Sequence, residues 1–252
     1  MLILGIDTAT PWGTIALSED GGIIFELTLR IGKGSSEHLL TLLQQVWPKT
    51  GRKPEELDLI AAGVGPGSYT GIRIGLAAAA GLAEGLQIPV YGVNTLRLIA
   101  ENARYGTEPP HMVAVAVDAR RAEVYAALYA VTPADGWREV LAPQTLPAVK
   151  FATELGQYQK ILLCGDGGKH YREAFETVTG LRLAPEEWDR PRAGLATEIA
   201  RREWSTRRGT LDRNMAPDYL RKVEAEIRLE AKLRGAKNSP DVCGGPGGGN
   251  CH

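Results

Sequence analysis

Metal ligands and disulfide partners are scarce in this 252-residue chain, which holds 3 cysteines and 4 histidines. Cys164 sits inside an apolar segment, and Cys243 and Cys251 lie in a glycine-rich tail. That odd count, with no secretion signal, excludes a disulfide framework and leads us to expect a reducing cytoplasm. His38, His111 and His170 are far apart, and none belongs to an H-x-x-x-H pair. Cys243, Cys251 and His252 lack zinc-finger spacing, so no metal site is expected. No lysine lies between residues 54 and 149, which removes the Gly-Lys-Ser/Thr of a Walker loop from that whole stretch. No apolar run approaches the roughly 18 residues that span a bilayer, and "MLILGIDTATPWG" has no basic n-region, so neither a membrane span nor a signal peptide is expected. The formal net charge of −1 gives no whole-protein field toward nucleic acid or membrane.

What remains is the composition of an ordinary globular protein, 44% hydrophobic and 23% charged, long enough for one large domain or two lobes. Three short strands (2–7, 14–19 and 23–30), joined by tight turns, read as an antiparallel meander. A helix follows at about 36–47, with Leu39, Leu42, Leu43 and Val46 at helical spacing. A buried strand at 57–65 feeds a glycine-rich helix at 68–85, then a strand at 88–94 and the helix "TLRLIAENARY". Near residue 111 the order restarts. "MVAVAVDARRAEVYAALYAV" gives two strands, "WREVLA" a third, "PAVKFATELGQY" a helix, "KILLCGD" a strand and "KHYREAFETVTG" a helix. Each half begins with a strand that ends in aspartate, Asp7 or Asp118. Two duplicated mixed α/β lobes facing a cleft define the expected fold, the α/β layout of the actin-like ATPase, sugar-kinase and chaperone superfamily. The expected division is an N-terminal lobe 1–105, a C-terminal lobe 106–190, basic amphipathic helices 191–237 that include "APDYLR", and a flexible tail 238–252. From Arg192 to Lys237 there are 12 Lys and Arg against 7 Asp and Glu.

The stretch "GVGPGSYTGIRIGLAAAAG" (63–81) looks at first like a phosphate loop. It has neither the Walker lysine nor dinucleotide spacing, since Gly65-Pro-Gly67-Ser-Tyr-Thr-Gly71 is one residue too long for G-x-G-x-x-G. A helix N-terminus would still offer N–H groups to an anion. Close helix contact explains more: Ser68 or Thr70 can cap the helix, Gly85 can end it, and Gly67, Gly71, Gly75 and Ala79 recur every four residues along one face. A helix-interior glycine costs about 1 kcal/mol relative to alanine, a cost that close backbone approach would account for. Ile72, Ile74, Leu76, Ala78 and Leu82 flank the stripe. Two readings stay open: a helix packed wholly in its own lobe, or one whose face meets a partner.

The other chemical candidates are Asp7 and Asp118. A carboxylate at a strand end facing a cleft can bind magnesium or orient water, or simply cap its own turn. Thr8 and Thr10 beside Asp7, and Arg120 and Arg121 beside Asp118, complete a candidate cleft for ATP or ADP. No cofactor is otherwise expected.

"ILGIDTAT", "GVGPGSYTGIRIG", "VDARRAEVYAALY" and "APDYLR" together resemble the TsaB (YeaZ) family of bacterial tRNA threonylcarbamoyladenosine biosynthesis proteins, over residues 1 to about 225. The resemblance implies a shortened relative of TsaD, in which a valine-asparagine pair opens a helix carrying two metal-binding histidines. Here the matching "VNTLRLIA" has Thr95 and Ile99 in their place, which implies a non-catalytic subunit without metal chemistry. Its implied partners are TsaD, through N-lobe helices, and the ATPase TsaE. The complex transfers threonylcarbamoyl to N6 of adenosine 37 in ANN-decoding tRNAs. On this reading the partner face comprises Leu39, Leu42, Leu43 and Val46, with Gly71, Ile72, Gly75, Ala78, Ala79 and Leu82. A homodimer forms when the partner is absent, and tRNA is met only through the complex. The alternatives are an ATP-binding hydrolase or peptidase homologue using Asp7 and Asp118, and a homodimeric module unrelated to tRNA.

Overall fold

The structure, a computed structural model, describes residues 1–30, 35–106, 111–132, 136–206 and 216–220. Strand β1 (Leu2–Asp7) alternates its side chains between two buried faces, as period-2 geometry requires. Leu2, Leu4 and Ile6 join one apolar cluster, and Ile3 joins another. β1 pairs antiparallel with β2 (Trp12–Glu19), which pairs antiparallel with β3 (Gly22–Arg30). On its other side β1 runs parallel to β4 (Leu59–Gly65), and β4 runs parallel to β5 (Val90–Asn94). The sheet order is therefore β3-β2-β1-β4-β5.

The second sheet repeats this plan. β6 (Met112–Asp118) pairs antiparallel with β7 (Glu123–Thr132), which pairs with β8 (Gly136–Pro147). β6 also runs parallel to β9 (Ile161–Cys164), which pairs with β10 (Leu181–Leu183). The order β8-β7-β6-β9-β10 is the first order over again. Two such sheets with equivalent connections define the actin-like fold.

Helices fill the remaining layers. α1 (Ser35–Thr50) and α2 (Tyr69–Leu86) cover one face of the first sheet, burying Leu39, Leu42, Leu43, Val46, Ile72, Leu76, Ala79 and Ala83. The other face receives Leu195, Ala196, Ile199 and Ala200 of α7 (Ala193–Thr206) and Leu98 of α3 (Thr95–Glu101). Leu96, Ile99 and Ala100 of α3 pack on Val113, Val115 and Val117 of the second sheet. Its far face is covered by α4 (Ala148–Leu155), with Phe175 of the short α6 (Arg172–Phe175). The chain thus crosses over twice: α3 of the first half serves the second sheet, and α7 of the second half serves the first.

Glu101 fastens that crossing. Its carboxylate, 3% exposed, meets Arg97 at 2.6 Å, Arg202 of α7 at 2.9 Å and Arg104 at 3.4 Å. Burial works to raise the Glu101 carboxyl, but the three guanidinium groups outweigh it and hold the group below its ordinary value.

Four expectations need correction. The helix read at 169–180 is broken: α5 (Asp166–His170) stops at Tyr171, whose φ of −111° and ψ of 39° are not helical, before α6 begins. Strand β10 then follows, too short to show periodicity. Residues 216–220 are irregular rather than helical: the Asp218 N–H bonds the Val64 carbonyl at 2.8 Å and the Tyr219 N–H bonds the Pro217 carbonyl at 3.1 Å, neither of them a helical bond. Helix α2 ends beyond Gly85, with Gln87 in the left-handed region at φ 56° as its cap. The rest of the 191–237 helices after residue 206, and the 238–252 tail, lie outside the described residues. Among the described residues no helix is long and apolar enough to cross a membrane.

Candidate functional site

The end of β1 is where an actin-like fold would hold phosphate, and it is densely packed. Asp7 has 0% exposure. Its Oδ1 accepts the Ala9 N–H at 2.9 Å, and its Oδ2 accepts the Thr95 hydroxyl at 2.8 Å. On the adjacent strand only a glycine fits, since a Cβ on Gly63 would overlap the Asp7 carboxylate. Burial pushes the Asp7 carboxyl up to about 6, against the two hydrogen bonds that favour its charge. Asp7 therefore joins β1 to the start of α3 and offers no atom to solvent.

The glycine stripe is spent on the same loop. The Thr8 hydroxyl donates to the Gly71 carbonyl at 2.7 Å, and the Ser68 N–H donates to the Ala9 carbonyl at 2.7 Å. A Cβ on Gly67 would overlap the Ala9 carbonyl, one on Gly71 the Thr8 carbonyl, and one on Gly75 the Thr8 hydroxyl. Of the two candidate caps Ser68 serves, accepting the Gly71 N–H at 3.2 Å. Thr10 is buried and closes its own turn, bonding Trp12 at 3.2 Å. From the second lobe Tyr125 reaches across, its hydroxyl 3.4 Å from the Gly67 carbonyl. The stripe is a seat for the β1–β2 loop.

The partner face expected from the stripe is corrected accordingly. Leu39, Leu42, Leu43, Val46, Gly71, Ile72, Gly75 and Ala79 are all buried within the lobe, and only Ala78 and Leu82 reach part of the surface. A second set, offset by two residues, points outward: Arg73, Ala77, Gly81 and Gly85 are exposed, and a Cβ on Gly81 or Gly85 would meet nothing within 4 Å. The helix carries two small-residue rows, and counting every fourth residue from Gly67 selects the inner one.

Asp118 ends β6 as Asp7 ends β1, and repeats its turn: the Arg120 N–H donates to its Oδ1 at 2.8 Å. Tyr171 replaces Thr95 as the second donor, at 2.7 Å, and the carboxylate stays 15% exposed. Arg120 is mostly solvent-facing, its Nε 3.9 Å from the Asp118 carboxylate. Arg120, Arg121 and Ala122 all lie in the left-handed region, at φ 67°, 56° and 61°.

Thr95 and Ile99 have 0% exposure; Thr95 is committed to Asp7, and Ile99 lies in the core. Among the described residues no group of three or more His, Cys, Asp or Glu could hold a metal ion. His111 is exposed and His170 stacks edge-on against Tyr171, 4.6 Å between centroids. The side chain of His38, and His252, lie outside the described residues. Sequence reading missed the docking of residues 216–220 on the glycine loop. Asn94 Nδ2 donates to Asp218 at 2.9 Å, Arg73 Nε donates to the Tyr219 hydroxyl at 3.0 Å, and Tyr219 stacks on Tyr69 at 5.0 Å. No local signal announces a contact spanning more than 120 residues.

Topology and paired strand-end aspartates make this an actin-like protein whose first cleft aspartate has become part of the core. Residues 14–157 match the family model described as TsaD, tRNA N6-adenosine threonylcarbamoyltransferase. The tRNA threonylcarbamoyladenosine biosynthesis protein TsaB of Bacillus subtilis is 30% identical over 90% of this chain and 97% of its own length. TsaB of Escherichia coli is 40% identical over 51% of this chain and 55% of that protein. The crystal structure of YeaZ from Pseudomonas aeruginosa superposes with a TM-score of 0.74 at 27% identity, covering 87% of this chain and 99% of that one. The chain belongs to the TsaD family and, within it, to the TsaB proteins.

Proposed function

We propose that this chain is a non-catalytic subunit for threonylcarbamoyl transfer to N6 of adenosine 37 in ANN-decoding tRNAs. It acts by binding the catalytic subunit TsaD, which the ATPase TsaE joins. The observation that carries the reading is the state of positions 95 and 99. Where the resemblance implies two metal-binding histidines, Thr95 and Ile99 have no exposed surface, and Thr95 holds the buried Asp7. The docking face is the outward row of α2, Ala77, Gly81 and Gly85, whose small size permits close helix approach, with Arg73 at its end held by the Tyr219 hydroxyl. The same row on a second copy supports a homodimer in the partner's absence.

tRNA is met through the complex. Of the basic residues after 191, Arg192 is committed to Glu26 at 2.6 Å and Arg202 to Glu101 at 2.9 Å. Gel filtration with purified TsaD tests the proposal. The wild-type chain should co-elute with TsaD; Gly81→Leu should elute alone with an unchanged melting temperature. Co-elution of that variant would show the docking face to be elsewhere. Calorimetry with ATP and magnesium tests the non-catalytic part, and saturable heat that disappears in Asp7→Ala would overturn it.

A further inference from the structure

The outward face of α2 carries one exposed charge of each sign, Arg73 near its start and Glu84 near its end. Among the described residues no carboxylate pairs with Arg73 and no cation with Glu84. Arg73 is nonetheless held in place. Its guanidinium carbon lies 4.0 Å from the Tyr69 ring centroid, and its Nε donates to the Tyr219 hydroxyl at 3.0 Å. Tyr219 in turn stacks on Tyr69, 5.0 Å between centroids. The two tyrosines occupy one face and one edge of the guanidinium and leave its Nη groups without an acceptor among the described residues. A long side chain fixed in this way has already lost its rotamer freedom. An ion pair made by Arg73 therefore escapes the ordering cost that makes most surface pairs weak.

Spacing says where the opposite charge must lie. Arg73 and Glu84 are separated by three helical turns to within about 20°, so they lie on one line along the helix, roughly 16 Å apart. Between them the exposed residues include Ala77 and Gly81, none larger than alanine. A second copy of α2 laid antiparallel along this line, about a two-fold axis midway between 73 and 84, brings each Arg73 opposite the other copy's Glu84 on the same side of the helix pair. A parallel copy would set arginine against arginine and glutamate against glutamate, so charge selects the antiparallel register. One helix carries both charges, and a second copy of this chain supplies the whole complement.

We propose that α2 pairs with α2 of a second copy of this chain in antiparallel register, closed at each end by an ion pair between Arg73 of one protomer and Glu84 of its partner. This rests on the reading of the outward row as a docking face and adds its orientation, its register and the residues that fix them. The tyrosine clamp also ties that face to residues 216–220, since Tyr219 belongs to the segment docked on the glycine loop.

Sedimentation equilibrium of the full chain over a concentration series, at low and at high salt, tests this. The wild-type dimer should weaken as salt rises, because both pairs lie at a wet rim. Arg73→Glu and Glu84→Arg each turn two attractive pairs into two repulsive ones, and each should weaken the dimer about tenfold or more. An equimolar mixture of the two single variants should recover the wild-type affinity, because both ends of the mixed dimer are again attractive. Recovery also shows that both variants fold. A wild-type dimer that neither substitution weakens would overturn the register and leave the docking face standing; parallel pairing gives that result. Variants that weaken the dimer and do not recover on mixing would show that the two charges do not meet, and would overturn it too. A wild-type chain that stays monomeric throughout would overturn the proposal together with the self-pairing it rests on.

Discussion

The two lobes share one plan and treat the end of its first strand differently. In both, a strand ends in aspartate and that aspartate accepts the N–H two residues on, Ala9 in one lobe and Arg120 in the other. In the first lobe the carboxylate is sealed by Thr95, and the 18-residue helix α2 lays its glycines against the loop. In the second, the counterparts of that helix are 5 and 4 residues long, and Tyr171 between them bonds Asp118 at a surface solvent still reaches. A duplicated frame thus carries one closed end and one open end. Closure comes from a long helix with a glycine face, which can approach a backbone where a helix with side chains cannot.

The most severe way to break this asymmetry is to push α2 off its seat. Gly71→Ala places a Cβ on the Thr8 carbonyl, a backbone atom that cannot step aside. Overpacking of that kind should cost about 3 kcal/mol. Urea unfolding should show the loss in the midpoint. The matched substitution Gly81→Ala, on the outward row, should be neutral or slightly stabilising, by up to about 1 kcal/mol from helix propensity. Equal effects from the two would mean that the inner row is not the seat. Gly75→Leu, by the same reasoning, injures the fold itself and is no test of partner binding.

Next in size is the contribution of Asp7. Its carboxyl titrates near 6 in the folded chain against an ordinary 3.8, so the native state holds the proton more tightly than the unfolded state does. Stability therefore rises as pH falls from about 6 toward 4, and the charged form lowers it by about 2–3 kcal/mol above that window. Asp7→Asn keeps the acceptor for the Ala9 N–H and carries no charge. It should be about 1–2 kcal/mol more stable than wild type at pH 7, and lose that advantage near pH 4. Glu101 slopes the other way: its folded value is depressed, so its contribution is present above the ordinary carboxylate range and is lost as pH falls through that depressed value. Unfolding curves of wild type and Asp7→Asn across this range separate the two, and an unchanged pH profile in the variant would show that Asp7 is not the buried titrating group.

How much of this could be read from residues alone depended on whether the signal was local. The two meanders and the repeat of their order were legible because β1 and β6 are short apolar runs that both end in aspartate ahead of a turn. The seal on Asp7 was not, because Thr95 lies 88 residues away and its place at the start of α3 gives no hint of a carboxylate above it. The glycine row was legible as a packing device, yet its direction was not. Residues 67–85 hold small residues on both sides of the helix, and only the neighbours of each Cβ position distinguish a seat from a surface. The break at Tyr171 was hidden for a similar reason: its hydroxyl is committed to Asp118, a tertiary bond that outweighs helix propensity.

The smallest effect belongs to the open end. Asp118→Ala should cost about 1 kcal/mol through the lost bonds to Arg120 and Tyr171. Smaller again is the net effect of relaxing the turn at one position, where Arg120, Arg121 and Ala122 occupy the left-handed region in succession. Such a residue costs about 1 kcal/mol when it has a Cβ, and none of the three is glycine. Ala122 is exposed, and its carbonyl accepts the Ala148 N–H at 2.9 Å, which holds the turn in place against that cost. Ala122→Gly removes the strain but frees the unfolded chain by about 0.5–1 kcal/mol, so the net gain should be no more than about 0.5 kcal/mol. The closed end has no such turn, for among its loop residues Thr8, Ala9 and Thr10 none has a positive φ. A thermal shift upward of a degree or two in Ala122→Gly would show the open turn to be strained by its backbone. A clear loss of stability would instead mean that the left-handed run is comfortable, and that the lobes differ only in how their aspartates are covered.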